Sequence, residues 1–542
     1  MTSENTSHDL CPKPPAVFVR EATGLVREIS PFNAFVTTLQ VTGIPTGVAT
    51  MLPFVPYVWP GADQALALIL VFPILVIHSI TYTLLAWSMP RSGGDYVWTA
   101  RILHPAIGSS MNFTFVLFGA LFQGSFGAFA ISYGVLALFV SIGITGNNPG
   151  LVNYSSAILT NPLWEAVFGT IFLLYVLFLL VLGLRSHLRQ QFILWIAGII
   201  GTALAIGILI GVTPAHFAVS FNRYLGSYST YQHIIDVAQS NHFTWAPSMS
   251  ATLLAMSFAW LINNGYQYSG YISGELKNVK TSMLFSTVGN NIFSTIVYAL
   301  FAFLFVNTVG DNWLHSLAFV GYELPSSYTL PVPPNPYFLA SLLTDNVVIA
   351  SVINLAIVVG SITLIASFDL ALARIVMAMS FDRILPTRLA DVNDRFHTPV
   401  YSILLVFIVN WVGMIASLYY GFVFANLNFT LMYTIALAVG GVTAAVFPYT
   451  KRTLYEKSPI AKCRIGNIPI ITVMGVLTFI FMSYLAYAAG FNPVIGGPTN
   501  PLALAVLLVT FVMTGLLYFI SLAYHKRAGL DVSAAFRELP PE

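Results

Sequence analysis

Of the 22 lysines and arginines in this 542-residue chain, 21 fall in alternate gaps between long apolar segments, and Arg223 stands alone in the other gaps. A water-soluble fold offers no reason for such sorting. A protein that crosses a membrane many times does, because loops rich in Lys and Arg stay cytoplasmic. A span needs about 20 mainly apolar residues. Twelve stretches qualify, at roughly 31–56, 65–89, 108–142, 163–183, 190–213, 249–272, 284–309, 346–373, 400–420, 423–448, 468–490 and 502–524, here called segments one to twelve. One set of gaps holds Lys13, Arg20 and Arg27; Arg91 and Arg101; Arg185 and Arg189; Lys277 and Lys280; Arg374, Arg383, Arg388 and Arg395; Lys451, Arg452, Lys457, Lys462 and Arg464; and Lys526, Arg527 and Arg537. The other set holds Arg223 with Asp63, Asp236, Asp311, Glu323 and Asp345. One span more or fewer would scramble the sorting, so twelve spans with both termini cytoplasmic are expected.

Composition agrees. The chain is 57% hydrophobic and 8% charged, against about 25% charged in soluble domains. Its cations are scattered over short loops with no basic stripe, so no nucleic-acid partner is expected. Cys11 and Cys463 both fall on the expected cytoplasmic side, and no disulfide framework is expected. Residues 1–30 are polar, with Glu4, Asp9, Glu21 and Glu28, and contain no short apolar run of the kind found in a cleaved leader. Segment one is then the insertion signal. The gaps at 214–248 and 310–345 are long, and the second contains the Pro-rich run 331–337. Both are expected to fold as an extracellular cap over the mouth.

Two segments break in their middle. Segment one contains Gly43, Ile44, Pro45, Thr46 and Gly47. Proline lacks an N–H and clashes with the preceding turn, and the glycines weaken the helix further. Segment six contains Asn263, Asn264 and Gly265, followed by Tyr266. Each break taken alone is also open to a plainer reading, a packing kink in one case and interhelical amide bonding in the other. The pair says more, because each opens a block of five segments. Interrupted spans at matching positions of two halves point to a transporter's central site.

Four stretches resemble the amino acid–polyamine–organocation (APC) superfamily. They are 25–35 (LVREISPFNAF), 90–108 (PRSGGDYVWTARILHPAIG), 274–282 (GELKNVKTS, with Val279 where the family usually has Pro) and 373–386 (ARIVMAMSFDRILP). The second is the most specific. The resemblance implies an all-α polytopic membrane protein with twelve transmembrane helices: a five-plus-five inverted repeat with discontinuous helices one and six, and two further C-terminal helices. The corresponding divisions are 1–30, a cytoplasmic segment; 31–213, the first half; 214–248, an extracellular loop; 249–448, the second half; 449–525, the last two spans with their preceding loop; and 526–542, a cytoplasmic tail. It also implies secondary active transport of an amino acid, amine or related small solute across the plasma membrane by alternating access. The substrate would lie between the breaks.

On that resemblance Gly43, Ile44, Pro45, Thr46 and Gly47 would meet a substrate carboxylate at a half-helix N-terminus. Pro45, without an N–H, weakens that assignment. Asn263, Asn264, Gly265, Tyr266 and Trp260 would form the facing wall, with Trp260 equally readable as packing. Gln123 in segment three is a further candidate for substrate contact, equally readable as interhelical hydrogen bonding. Ser367 and Asp369 in segment eight are candidates to bind Na⁺ or a transported proton, because an acid at membrane depth is expensive. For Asp369 the competing reading is a salt bridge to Arg374 or Arg101. His78 in segment two is read as a buried packing residue and Glu165 as an acid topping the N-terminus of segment four. Arg91 or Arg101 with Asp382 would make a breakable inner gate. No cofactor is expected beyond a coupling Na⁺ or H⁺, and the expected partners are a small-molecule substrate and the lipid bilayer. Symport, exchange, uniport and oligomeric state stay open. A zinc-binding HExxH pair, a GxSxG elbow and a Walker A loop are all absent from the sequence, so an enzyme is not expected; a receptor or channel is the remaining alternative.

Overall fold

The computed structural model describes residues 25, 27–420, 429–492 and 501–537. Most of the expected cytoplasmic segment 1–30, including Cys11, Lys13 and Arg20, lies outside the described residues, as do the first residues of segment ten (423–428) and the last of the tail (538–542).

Apolar runs of span length become helices, as bilayer-compatible backbone must. Among the described residues, eleven helices are long and apolar enough to cross a membrane. They match every expected segment except the sixth. Segment six has a 15-residue helix, Met249–Asn263, then a 3₁₀ stretch, Asn264–Gln267, and a single α turn, Tyr268–Tyr271. No single helix there reaches span length, because the helix breaks where the Asn-Asn-Gly run sits. Many helices start on a polar cap followed by proline, whose missing N–H costs nothing in the first turn. Ser30 caps Pro31–Thr42 by accepting from the Asn33 N–H at 3.2 Å, and Asn161 caps Pro162–Val181 in the same way. Segments three and seven each contain a π-helical turn, at Ala130–Val135 and Phe285–Gly289.

Segment eight, Val347–Phe381, is the central post, buried almost continuously from Val359 to Ser380. It packs on segments one, three, five and nine. Segments four, five and twelve lie at the periphery, exposing Ile171, Phe178, Ile193, Ile200, Val512 and Phe519 as a lipid-compatible surface.

The loops rich in Lys and Arg meet at one end of the bundle. There Ile29 pairs its backbone with Glu275 and Lys277, the Gly93 N–H donates to Tyr271 O at 2.8 Å, and Arg185 pairs with Glu28. This is called the basic end below. At the opposite end Ser248 N–H donates to Gly61 O, Tyr231 Oη donates to Val309 O, and Arg223 pairs with Asp345. Here the two long loops fold onto each other: Trp313 of the second stacks on Tyr231 of the first at 5.2 Å and packs edge-on against Phe217 and Phe221.

Candidate functional site

Segment one breaks at a single residue. Gly43 adopts φ 57° and ψ 53°, the left-handed conformation that costs an L side chain roughly 1–2 kcal/mol. Helix Pro31–Thr42 ends there, and Ile44–Val58 begins again with Pro45 in its first turn. The space is closed as well, since a Cβ on Gly43 would lie 2.3 Å from Leu364 Cδ1.

The break in segment six lies against it. Gly265 is pressed so close to segment one that a Cβ would sit 2.3 Å from the Thr42 N and 2.4 Å from the Thr38 O. One phenol joins the two breaks. Tyr298, on segment seven, directs its Oη at Thr42 O (2.9 Å) and at Ile262 O (3.2 Å). Both carbonyls lie at the interruptions, where the regular i to i+4 pattern lapses and buried acceptors need outside donors. Asn263 belongs to this joint: its Nδ2 donates to Ala259 O and its Oδ1 accepts from Ser294 Oγ at 2.8 Å.

A cavity of about 460 Å³ adjoins the breaks, within the range of small-molecule sites. Thr46, Gly47, Gln123 and Asn264 line it. Gln123 is 1% exposed and its Oε1 has no partner among the described residues, an unmet acceptor of the kind a bound molecule or water satisfies. The remaining wall is largely aromatic, including Phe129, Tyr133, Tyr322, Phe368 and Phe429. Glu165 is the one charged side chain among the lining residues, and it is 9% exposed. This corrects the expectation that Glu165 only tops a helix: it does stand in the first turn of Pro162–Val181, but it also faces the cavity.

Other candidates lie outside the lining. Gly43 and Gly265 form the joint, Ile44 is buried, and Pro45 packs against Gly360. Trp260 and Tyr266 turn away from the cavity towards segment two: Trp260 Nε1 donates to Tyr266 Oη at 3.3 Å, and the same Oη meets His78 Nδ1. Ser367 and Asp369 point apart. Ser367 Oγ donates to Gln40 Oε1 of segment one at 3.0 Å, whereas Asp369 accepts from Asn410 Nδ2 of segment nine at 2.6 Å. They do not form one cation site. Among the described residues Asp369 is not salt-bridged either, because Arg374 and Arg101 have other partners, and Asp369 Oδ1 is buried without one. Among the described residues no three His, Cys, Asp or Glu side chains cluster as a metal site.

Two buried ion pairs close the basic end. Arg101 donates from Nη1 and Nη2 to Asp382 Oδ2 and Oδ1 at 2.7 and 2.8 Å, and Tyr96 Oη donates to the same carboxylate. Arg374 donates from Nε and Nη2 to Glu275 at 2.7 and 3.0 Å. The first is the Arg101–Asp382 pair expected from sequence; the second was not anticipated. Beside them Asp95 accepts from Tyr82 and Tyr271. Burial pushes its carboxyl up to about 6, against the lowering effect of those two hydrogen bonds.

Aromatic residues and Glu165 are what the sequence reasoning missed. A signal existed: Phe122, Ser125, Phe126, Phe129, Ser132 and Tyr133 recur at helical spacing and all line the cavity. A family model described as amino acid permease matches residues 30–516. No curated protein matches the chain.

Proposed function

Because the chain belongs to the amino acid permease family, we propose that this multi-pass membrane transporter of amino acids works as a secondary active carrier by alternating access. The observation that carries the proposal is the cavity of about 460 Å³ set against two broken helices, in a bundle whose basic end holds two buried ion pairs. Irregular backbone at membrane depth is tolerated where it lines a cavity or is buried in protein, and central sites at discontinuous helices are the mark of such carriers. Thr46, Gly47, Gln123 and Asn264 contact the substrate, an amino acid or related amine. Gly43, Asn263 and Gly265 hold the joint, and the five-plus-five arrangement is the frame in which it rocks. By the Lys and Arg bias the basic end is cytoplasmic, and the membrane we assign is the plasma membrane. The cavity then faces outward in this conformation.

Coupling is assigned to Asp369, whose buried Oδ1 lacks a partner, with Ser367 acting separately through Gln40. Na⁺ and H⁺ are both compatible with this assignment. The test is uptake of labelled amino acids into proteoliposomes under imposed Na⁺, proton or no gradient. Accumulation above equilibrium supports active transport, whereas equilibration alone or strict one-for-one exchange makes the protein a uniporter or an exchanger. Asp369→Asn should abolish the gradient dependence; uptake that keeps its ion and pH dependence in this variant removes Asp369 from coupling.

A further inference from the structure

The cavity carries a charge signature that the family match does not explain. Glu165 is its one charged lining residue, and no Lys, Arg or His lines it among the described residues. An acid in the first turn of a helix needs no ligand to be tolerated. This one, however, is 9% exposed and set beside an aromatic wall. Phe129 and Tyr133 stack at 4.2 Å, Tyr57 and Tyr322 stack at 5.1 Å, and the hydroxyls of Tyr133 and Tyr322 meet at 3.3 Å. Tyr57 Oη donates to a second acid, Glu323, at 3.2 Å. Acid plus aromatic faces is the chemistry that receives a cation: the carboxylate supplies charge, and the ring faces supply attraction without a hydration shell.

The same lining includes Thr46 and Gly47, in the opening turn of the half-helix Ile44–Val58, the positive end of its dipole. Gln123 lines it too, its Oε1 without a partner among the described residues. The lining therefore combines a partially positive helix start with one acid.

We propose that the substrate is a basic amino acid, its carboxylate at the break in segment one and its distal protonated amine or guanidinium at Glu165. Glu165 is then the specificity-determining residue. This rests on the reading of the chain as an amino acid carrier.

The test compares free lysine with norleucine, which matches it without the distal charge. Binding to the purified full chain is measured by ligand-induced thermal shift, and uptake is measured in proteoliposomes. Wild-type protein should bind lysine about tenfold or more tighter than norleucine, the size of one buried charge-assisted contact. Glu165→Gln should erase that preference while changing norleucine affinity less than about threefold, and Glu165→Asp, which keeps the charge, should retain part of it. Equal affinity for both ligands in the wild type, or equal losses in Glu165→Gln, overturns the proposal while leaving amino acid transport standing. If no amino acid is bound or moved, both readings fall.

Discussion

The two ends of the bundle hold their charges in opposite ways. At the basic end Arg101–Asp382 and Arg374–Glu275 have side chains at most 3% exposed. At the other end the pair between the two long loops, Arg223–Asp345, is 63% and 70% exposed, and the cavity is bounded by rings and one acid. Exposed pairs contribute little to stability, whereas buried pairs are costly to form and costlier to break one-sidedly. The contrast teaches where this conformation is committed. One end is held by groups that lose their partners if the helices part, whereas at the other the Arg223–Asp345 pair is open to water and the loops are joined by packed rings.

The largest expected effect comes from halving a buried pair. Glu275→Ala leaves the Arg374 guanidinium buried and unpaired and should destabilise the protein by about 3–5 kcal/mol, read as a fall in thermal unfolding midpoint in detergent. If Glu275→Ala unfolds at the wild-type temperature, the basic end is not locked by charge. The joint between the ends comes next. Gly265→Ala forces a Cβ onto the Thr42 and Thr38 backbone and should cost about 1–3 kcal/mol. An unchanged midpoint together with normal uptake would show that segments one and six separate easily at this point.

A smaller, pH-dependent effect belongs to Asp95. Its folded-state value is raised from 3.8 to about 6, so its contribution to stability is fully present below about pH 4 and is lost as pH rises through about 6. Unfolding midpoints of wild type and Asp95→Asn should therefore diverge across that window, the wild type losing more stability as pH rises. Parallel curves would mean that the Tyr82 and Tyr271 hydroxyls fully compensate the buried charge. Smallest of all, Arg223→Ala at the opposite end should leave the unfolding midpoint unchanged. A clear drop would erase the contrast between the ends.

Much of this arrangement was legible in the chain. Spans follow from hydropathy alone, and the breaks from residues that no helix favours in its interior. That Asp382 pairs with a cation of the 90–108 loop followed from both being placed on the same side, but the choice of Arg101 over Arg91 did not. What escaped is the direction of side chains around a break. Segment six passes from α to 3₁₀ geometry at Asn264, which changes the rotation per residue, so the direction of Tyr266 relative to Trp260 cannot be phased from the preceding helix. Ser367 and Asp369 are a different case. Two residues apart on a continuous helix, they stand about 200° apart around its axis, and their divergence towards Gln40 and Asn410 follows from that geometry. Glu165 was hidden because its meaning depends on the neighbouring face of segment three, 122 to 133, rather than on its own helix.

The burial of the basic-end pairs has a consequence for ionic strength. Mobile counter-ions weaken interactions between charges they can approach, over a length of about 8 Å at physiological salt. Arg374 and Glu275, at 0% and 2% exposure, lie beyond their reach, whereas Arg223 and Asp345 do not. Salt that weakens the Arg223–Asp345 pair therefore leaves the Arg374–Glu275 pair intact. Separating Arg374 from Glu275 would require water to reach both groups, so hydration of the guanidinium and carboxylate, rather than the salinity of the surroundings, sets the cost of parting them.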